Sequence, residues 1–125
     1  MKASILIVDD SPDYRRIFTR ILASGGYRAL TAASAEEARL VMKTAPPDAA
    51  LLDWNLPGDS GLELAREIRR DPNLSRMPLL MLSVNATPKE QIQGLSEGGV
   101  NAYLVKPVNA QELLARLGAL LEKSR

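Results

Sequence analysis

The 125-residue chain contains no cysteine and no histidine. Without thiols, a disulfide scaffold and thiolate metal centres are excluded. Without imidazole, histidine acid–base catalysis and the commonest transition-metal ligand are excluded as well. No apolar run approaches the roughly 20 residues that a membrane helix needs. Charge of either sign is not in excess: 16 Lys and Arg face 15 Asp and Glu, a net +1. No basic tract points to nucleic acid, and no acidic tail points to a histone-like partner. Met1-Lys2-Ala3-Ser4 runs straight into an apolar stretch, so no signal peptide is read and a cytoplasmic protein is the expectation. Linkers, repeats and low-complexity segments are also missing, and one domain over residues 1–125 is expected. At 46% hydrophobic and 25% charged, the chain can bury a core.

Five short apolar runs alternate with helix patterns. The runs predict strands at 4–8, 28–32, 49–53, 79–83 and 101–105. The second, Arg28-Ala29-Leu30-Thr31-Ala32, is the least apolar and suits a sheet edge. The intervening helices carry start and stop signals. Ser11-Pro12 offers an N-cap and a proline at the first helical position, followed by a face of Ile17, Phe18, Ile21 and Leu22 and a stop at Gly25-Gly26. Ser34 with Glu37 reads as a capping box before a helix through Val41 and Met42, which ends before Pro46-Pro47. Asp59 or Ser60 can cap a helix bearing Leu62, Leu64, Ala65 and Ile68, closed by Pro72. Thr87-Pro88-Lys89-Glu90 combines a cap, an N1 proline and a capping box. Asn109 and Glu112 open the last helix, whose stripe is Leu113, Leu114, Leu117, Leu120 and Leu121. Such alternation predicts a (βα)5 fold with parallel strands buried on both faces.

Polar residues stand where four of the apolar runs stop. Asp9 and Asp10 follow Ile5-Leu6-Ile7-Val8, Asp53 follows Ala50-Leu51-Leu52, Ser83 follows Leu79-Leu80-Met81-Leu82, and Lys106 follows Tyr103-Leu104-Val105. In an open parallel sheet, ligands bind beyond the carboxyl ends of the strands. Adjacent carboxylates repel unless a cation or water lies between them. Asp9 and Asp10 therefore read either as hard-metal ligands, for Mg²⁺, Mn²⁺ or Ca²⁺, or as a solvated turn in which Asp10 helps cap the next helix. Asp53 reads as a ligand, as a carboxylate nucleophile, or as a turn former before Asn55 and Pro57-Gly58. Ser83 and Lys106 are each ordinary surface residues when taken singly. Beside a metal-bound phosphoryl group, a hydroxyl and an ammonium would neutralise charge on its oxygens.

Taken together, these segments resemble the receiver domain of two-component response regulators over essentially the whole chain. The motifs are Ile5-Leu6-Ile7-Val8-Asp9-Asp10, Asp53-Trp54-Asn55-Leu56-Pro57-Gly58, Leu82-Ser83 and Tyr103-Leu104-Val105-Lys106-Pro107. The resemblance implies a flavodoxin-like three-layer sandwich with a five-stranded parallel sheet of order 2-1-3-4-5. It implies that Asp53 accepts a phosphoryl group from a phosphohistidine on a sensor kinase or a histidine phosphotransfer protein. It implies Mg²⁺, with Mn²⁺ as a substitute, held by Asp9, Asp10, Asp53 and the backbone carbonyl of Asn55. Lys106 and Ser83 would contact phosphoryl oxygens, and Tyr103 would turn inward as Ser83 moves. The Lys106–Pro107 peptide is expected to be cis. The output would be a surface of the fourth helix, fifth strand and fifth helix, read by a downstream protein or an attached output domain, with the receiver a monomer or a phosphorylation-dependent dimer. On this reading the chain is a self-modifying phosphoacceptor rather than an enzyme in the ordinary sense, and it touches neither nucleic acid nor membrane.

Four positions qualify the resemblance. Val84 stands where the family commonly has a small residue. Asn55 and Asn85 flank the site where the family tunes dephosphorylation. Gly94 lies mid-helix, at about 1 kcal/mol relative to alanine, which suggests a loosely held fourth helix. The competing readings are a phosphorylation-independent, receiver-like interaction domain and a Mg²⁺-dependent phosphatase or flavin protein. A flavin phosphate needs a donor-rich loop after the first strand, whereas this loop is acidic. A phosphatase needs a second general acid near Asp53, where Trp54 and Asn55 stand.

Overall fold

The computed structural model describes residues 2–84 and 87–123. Five parallel strands alternate with five helices: β1 (Ser4–Val8), α1 (Pro12–Ser24), β2 (Arg28–Ala32), α2 (Ala35–Thr44), β3 (Ala49–Asp53), α3 (Gly61–Arg70), β4 (Leu79–Ser83), α4 (Pro88–Ser96), β5 (Ala102–Val105) and α5 (Ala110–Lys123). The order across the sheet is β2-β1-β3-β4-β5, so the fold is the flavodoxin-like sandwich expected from the sequence. Polar β2 takes an edge, where one side needs no partner strand. The fifth strand starts at Ala102, one residue later than its apolar run predicts, because Asn101 turns its side chain to the Leu79 amide and the Arg69 guanidinium.

Successive residues of a strand point to opposite faces, and both faces here are dry. Ile5, Ile7, Leu51, Leu80 and Leu82 pack with Phe18 and Leu22 of α1 and Leu113 and Leu117 of α5. Leu6, Val8, Leu52, Leu79 and Met81 pack with Ala38 and Met42 of α2 and Leu64, Ala65 and Ile68 of α3. Continuous apolar strands are the sequence record of this double coverage. Ile17 departs from the expected face of α1 and is exposed. The buried stripe runs through Phe18 and Leu22, four residues apart, and Ile17 lies to the side of it.

The helix ends follow local chemistry. Ser11, Ser34, Ser60 and Thr87 cap α1 to α4 by accepting backbone N–H bonds. Ser60 takes the α3 cap and leaves Asp59 free to bind Arg39. The α4 capping box is complete, whereas Glu37 of α2 reaches past its cap to the Ala33 amide. Helix α1 closes with bonds from Gly26 N–H to the Ala23 carbonyl and from Tyr27 N–H to the Leu22 carbonyl. Gly26 has φ +85°, a left-handed position that suits glycine at this helix end.

Candidate functional site

Among the described residues, the buried polar or charged side chains are Asp9, Asp53, Ser83 and Lys106, at 1%, 7%, 1% and 7% exposure. All four were singled out from strand ends, and the parallel sheet explains why they gather. Strands β1, β3, β4 and β5 run the same way in adjacent positions, so their carboxyl ends lie together at one end of the sheet. Asp10 sits beside them at the surface.

One ligand oxygen from each of Asp9, Asp10 and Asp53 lies within 4.8 Å of the others. The Lys106 ammonium donates to Asp9 Oδ2 at 2.6 Å and lies 3.5 Å from Asp53 Oδ1. Buried charges persist only when paired, and here one ammonium answers two buried carboxylates and leaves an acidic excess. The Asp53 carboxyl is pushed up to about 6, chiefly by burial and further by Asp9, against the pull of Lys106 and the Asn55 backbone N–H. An oxygen-only set with surplus negative charge suits a hard divalent cation such as Mg²⁺, which takes carboxylates and keeps water on its open side. Asp10 is the exposed member of the set.

The turn after β1 is held from within. Ser11 N–H donates to Asp9 Oδ1 at 2.9 Å, and Arg15 Nη1 donates to the Asp9 carbonyl at 2.8 Å. On the β3 side, Gly61 N–H donates to the Trp54 carbonyl at 2.8 Å. A methyl group on Gly61 would stand 2.2 Å from the Asp53 carbonyl oxygen. Glycine is therefore a steric requirement for seating α3 against the β3 end. Arg39 of α2 grips the same loop, bonding Asp59 at 2.6 Å and Glu67 of α3 at 2.7 Å.

Tyr103 of β5 packs its ring 6.1 Å from that of Trp54. Its hydroxyl is buried, with no hydrogen-bond partner of good geometry among the described residues. Burial raises its pKa, and the Ser83 hydroxyl acts in the opposite direction. Gly94 of α4 faces this ring: a methyl there would come 3.2 Å from Tyr103 Cδ2. The mid-helix glycine thus makes room for the aromatic side chain. Val84 is exposed, Asn85 lies outside the described residues, and the Lys106–Pro107 peptide is cis.

Gly61, Arg15 and Arg39 escaped sequence reasoning, because their partners are backbone atoms or distant loops that leave no local pattern. Tyr14 escaped it too. It stood outside the face read from Ile17, Phe18, Ile21 and Leu22, yet the Lys106 ammonium lies 4.1 Å from its ring centroid.

The family model for the response regulator receiver domain matches residues 5–118. The chain belongs to the response regulator receiver domain family. This receiver is 41% identical over 121 residues to the phosphate regulon transcriptional regulatory protein PhoB of Pseudomonas aeruginosa, covering 97% of this chain and 52% of that protein. It is 38% identical over 120 residues to chemotaxis protein CheY-3 of Vibrio cholerae, covering 95% and 92%. The high-resolution structure of the chemotaxis response regulator CheY4 of Vibrio cholerae matches with a TM-score of 0.88 at 32% identity, covering 96% of this chain and 99% of that one. The receiver spans about half the length of its phosphate-regulon relatives, 52% and 55%. It is thus a receiver domain of two-component signalling, which is not a family of classical enzymes. Among its described residues no helix is long and apolar enough to cross a membrane.

Proposed function

We propose that this receiver takes a phosphoryl group from a phosphohistidine onto Asp53 and relays the change to the α4–β5–α5 surface. The observation that carries the reading is the buried set of Asp9, Asp53 and Lys106, with the ammonium 2.6 Å from one carboxylate and 3.5 Å from the other. A carboxylate oxygen of Asp53 forms the new P–O bond as the P–N bond to the donor imidazole breaks. Asp9, Asp10, Asp53 and the Asn55 carbonyl would hold Mg²⁺ or Mn²⁺. The cation supplies charge neutralisation for the phosphoryl oxygens and the nucleophile. Lys106 contributes positive charge to a phosphoryl oxygen, and Ser83 a hydrogen bond to another.

Engagement of Ser83 would draw on the Tyr103 contact and alter the packing of that ring against Gly94. Ile92 and Leu95 of α4 and Val105 of β5 are exposed apolar residues on the elements concerned, and they suit a partner that reads the switch. That partner is a downstream protein or an output domain on the same chain, and the donor is a sensor kinase or histidine phosphotransfer protein, all in the cytoplasm. One domain over residues 1–125 suffices for this role.

Trp54 reports on the site directly. Addition of beryllofluoride, a phosphoryl stand-in, with Mg²⁺ is expected to change its fluorescence, and chelation to abolish the change. A folded protein whose Trp54 ignores both additions would instead be a phosphorylation-independent interaction domain.

A further inference from the structure

We propose that Tyr14 is a positioning residue for the phosphoryl-accepting site, its ring face holding the Lys106 ammonium in place while the ammonium changes partners. The inference rests on the role proposed for Asp53 and Lys106. Lys106 Nζ lies 4.1 Å from the Tyr14 ring centroid, within the range of a cation–π contact. Among the described residues it also pairs with carboxylates, Asp9 Oδ2 at 2.6 Å and Asp53 Oδ1 at 3.5 Å. The Lys106 side chain is 4% exposed, so water screens little of this attraction.

The ring is itself fixed. It stacks on Phe18 with centroids 5.8 Å apart and planes 22° from parallel, and Phe18 is buried in the core. Below it, Tyr14 N–H donates to Ser11 Oγ at 3.3 Å as part of the α1 cap. The core therefore dictates where the ring face lies.

The two kinds of contact restrain lysine differently. A carboxylate takes up an N–H bond and gives it direction. A ring face attracts the charge without consuming a particular donor. An ammonium on a flexible four-carbon stem can then turn its protons from Asp9 and Asp53 towards phosphoryl oxygens without leaving its place. An aliphatic side chain at position 14 would keep an apolar surface there and lack that attraction.

The test uses the whole chain, Mg²⁺ and beryllofluoride, read by Trp54 fluorescence. Tyr14→Leu is expected to weaken beryllofluoride binding by about 2- to 30-fold, the span of a cation–π contact at one tenfold per 1.4 kcal/mol. Tyr14→Phe keeps the ring and is expected to restore binding to within about 2-fold. In a Lys106→Ala background, Tyr14→Leu is expected to add no further loss, because the pair acts as a unit. A Tyr14→Leu loss of equal size in both backgrounds, or equal losses in Leu and Phe variants, would overturn the proposal as mere packing. Ring-fluorinated phenylalanines at position 14 keep shape and folding; binding that fails to weaken with successive fluorination would also overturn it. A wild-type chain without any beryllofluoride response would overturn the functional reading itself, whereas a responsive wild type with additive substitutions removes only the role of Tyr14.

Discussion

Asp53 carries two opposed demands. The proposed phosphoryl transfer needs it ionised, and burial favours its neutral form, so its carboxyl rises from 3.8 to about 6. The folded state therefore binds this proton more tightly than the unfolded state does. The sign follows from linkage: stability contributed by the proton is present at low pH and is lost as pH climbs through about 6. In chelated protein near neutral pH, the ionised Asp53 destabilises the fold. Asp53→Asn removes the titration and is expected to stabilise the metal-free protein by on the order of 1–3 kcal/mol at about pH 7.5. The gain shrinks as pH falls below 6. Thermal unfolding of both proteins across this range checks it, and a gain independent of pH would contradict the assigned cause. The strand-end residues were legible in the sequence because each is a polar stop to an apolar run. Tyr14 and Gly61 were not, since a ring under an ammonium and a missing Cβ beside a carbonyl depend on contacts between distant segments.

Among the elements, helix boundaries were the most legible, because Ser11, Ser60, Thr87 and Gly26 act locally through caps and backbone conformation. The side chains that tie elements together were hidden. Arg69 joins α3 to the carbonyls of Gly99, Ser75 and Met77 and to Asn101, and nothing in its neighbours' sequence announces this. These bonds, with Arg66 to Glu97 at 2.7 Å, fasten the carboxyl end of α4 and the turn after it. The body of α4 is different: its one buried residue is Gly94, whereas α3 buries Gly61, Leu62, Leu64, Ala65 and Ile68. Gly94 was read as a weak point from propensity alone; the Tyr103 ring now gives it a packing reason, and the small buried face of α4 stands beside it. Amides of α4 are accordingly expected to exchange with solvent faster than those of α3. Equal protection of the two helices in hydrogen exchange would show that α4 is not the lightly held element.

At the scale of the molecule, the sheet converts sequence order into a site. Alternating apolar runs and capped helices give parallel strands, and parallel strands place Asp9, Asp53, Ser83 and Lys106 at one end of the core. Tyr103 lies between Ser83 and Gly94 at the same end, and on the proposed function this is the contact through which a change of charge at Asp53 would reach the α4–β5–α5 face. The central claim is that Asp53 is the residue modified. The most direct measurement is intact mass and residue mapping after exposure to acetyl phosphate with Mg²⁺. One phosphoryl group on Asp53 is predicted, absent after chelation and absent in Asp53→Asn. A phosphoryl group retained by Asp53→Asn, or no modification of a folded, Mg²⁺-loaded wild type, would contradict the account.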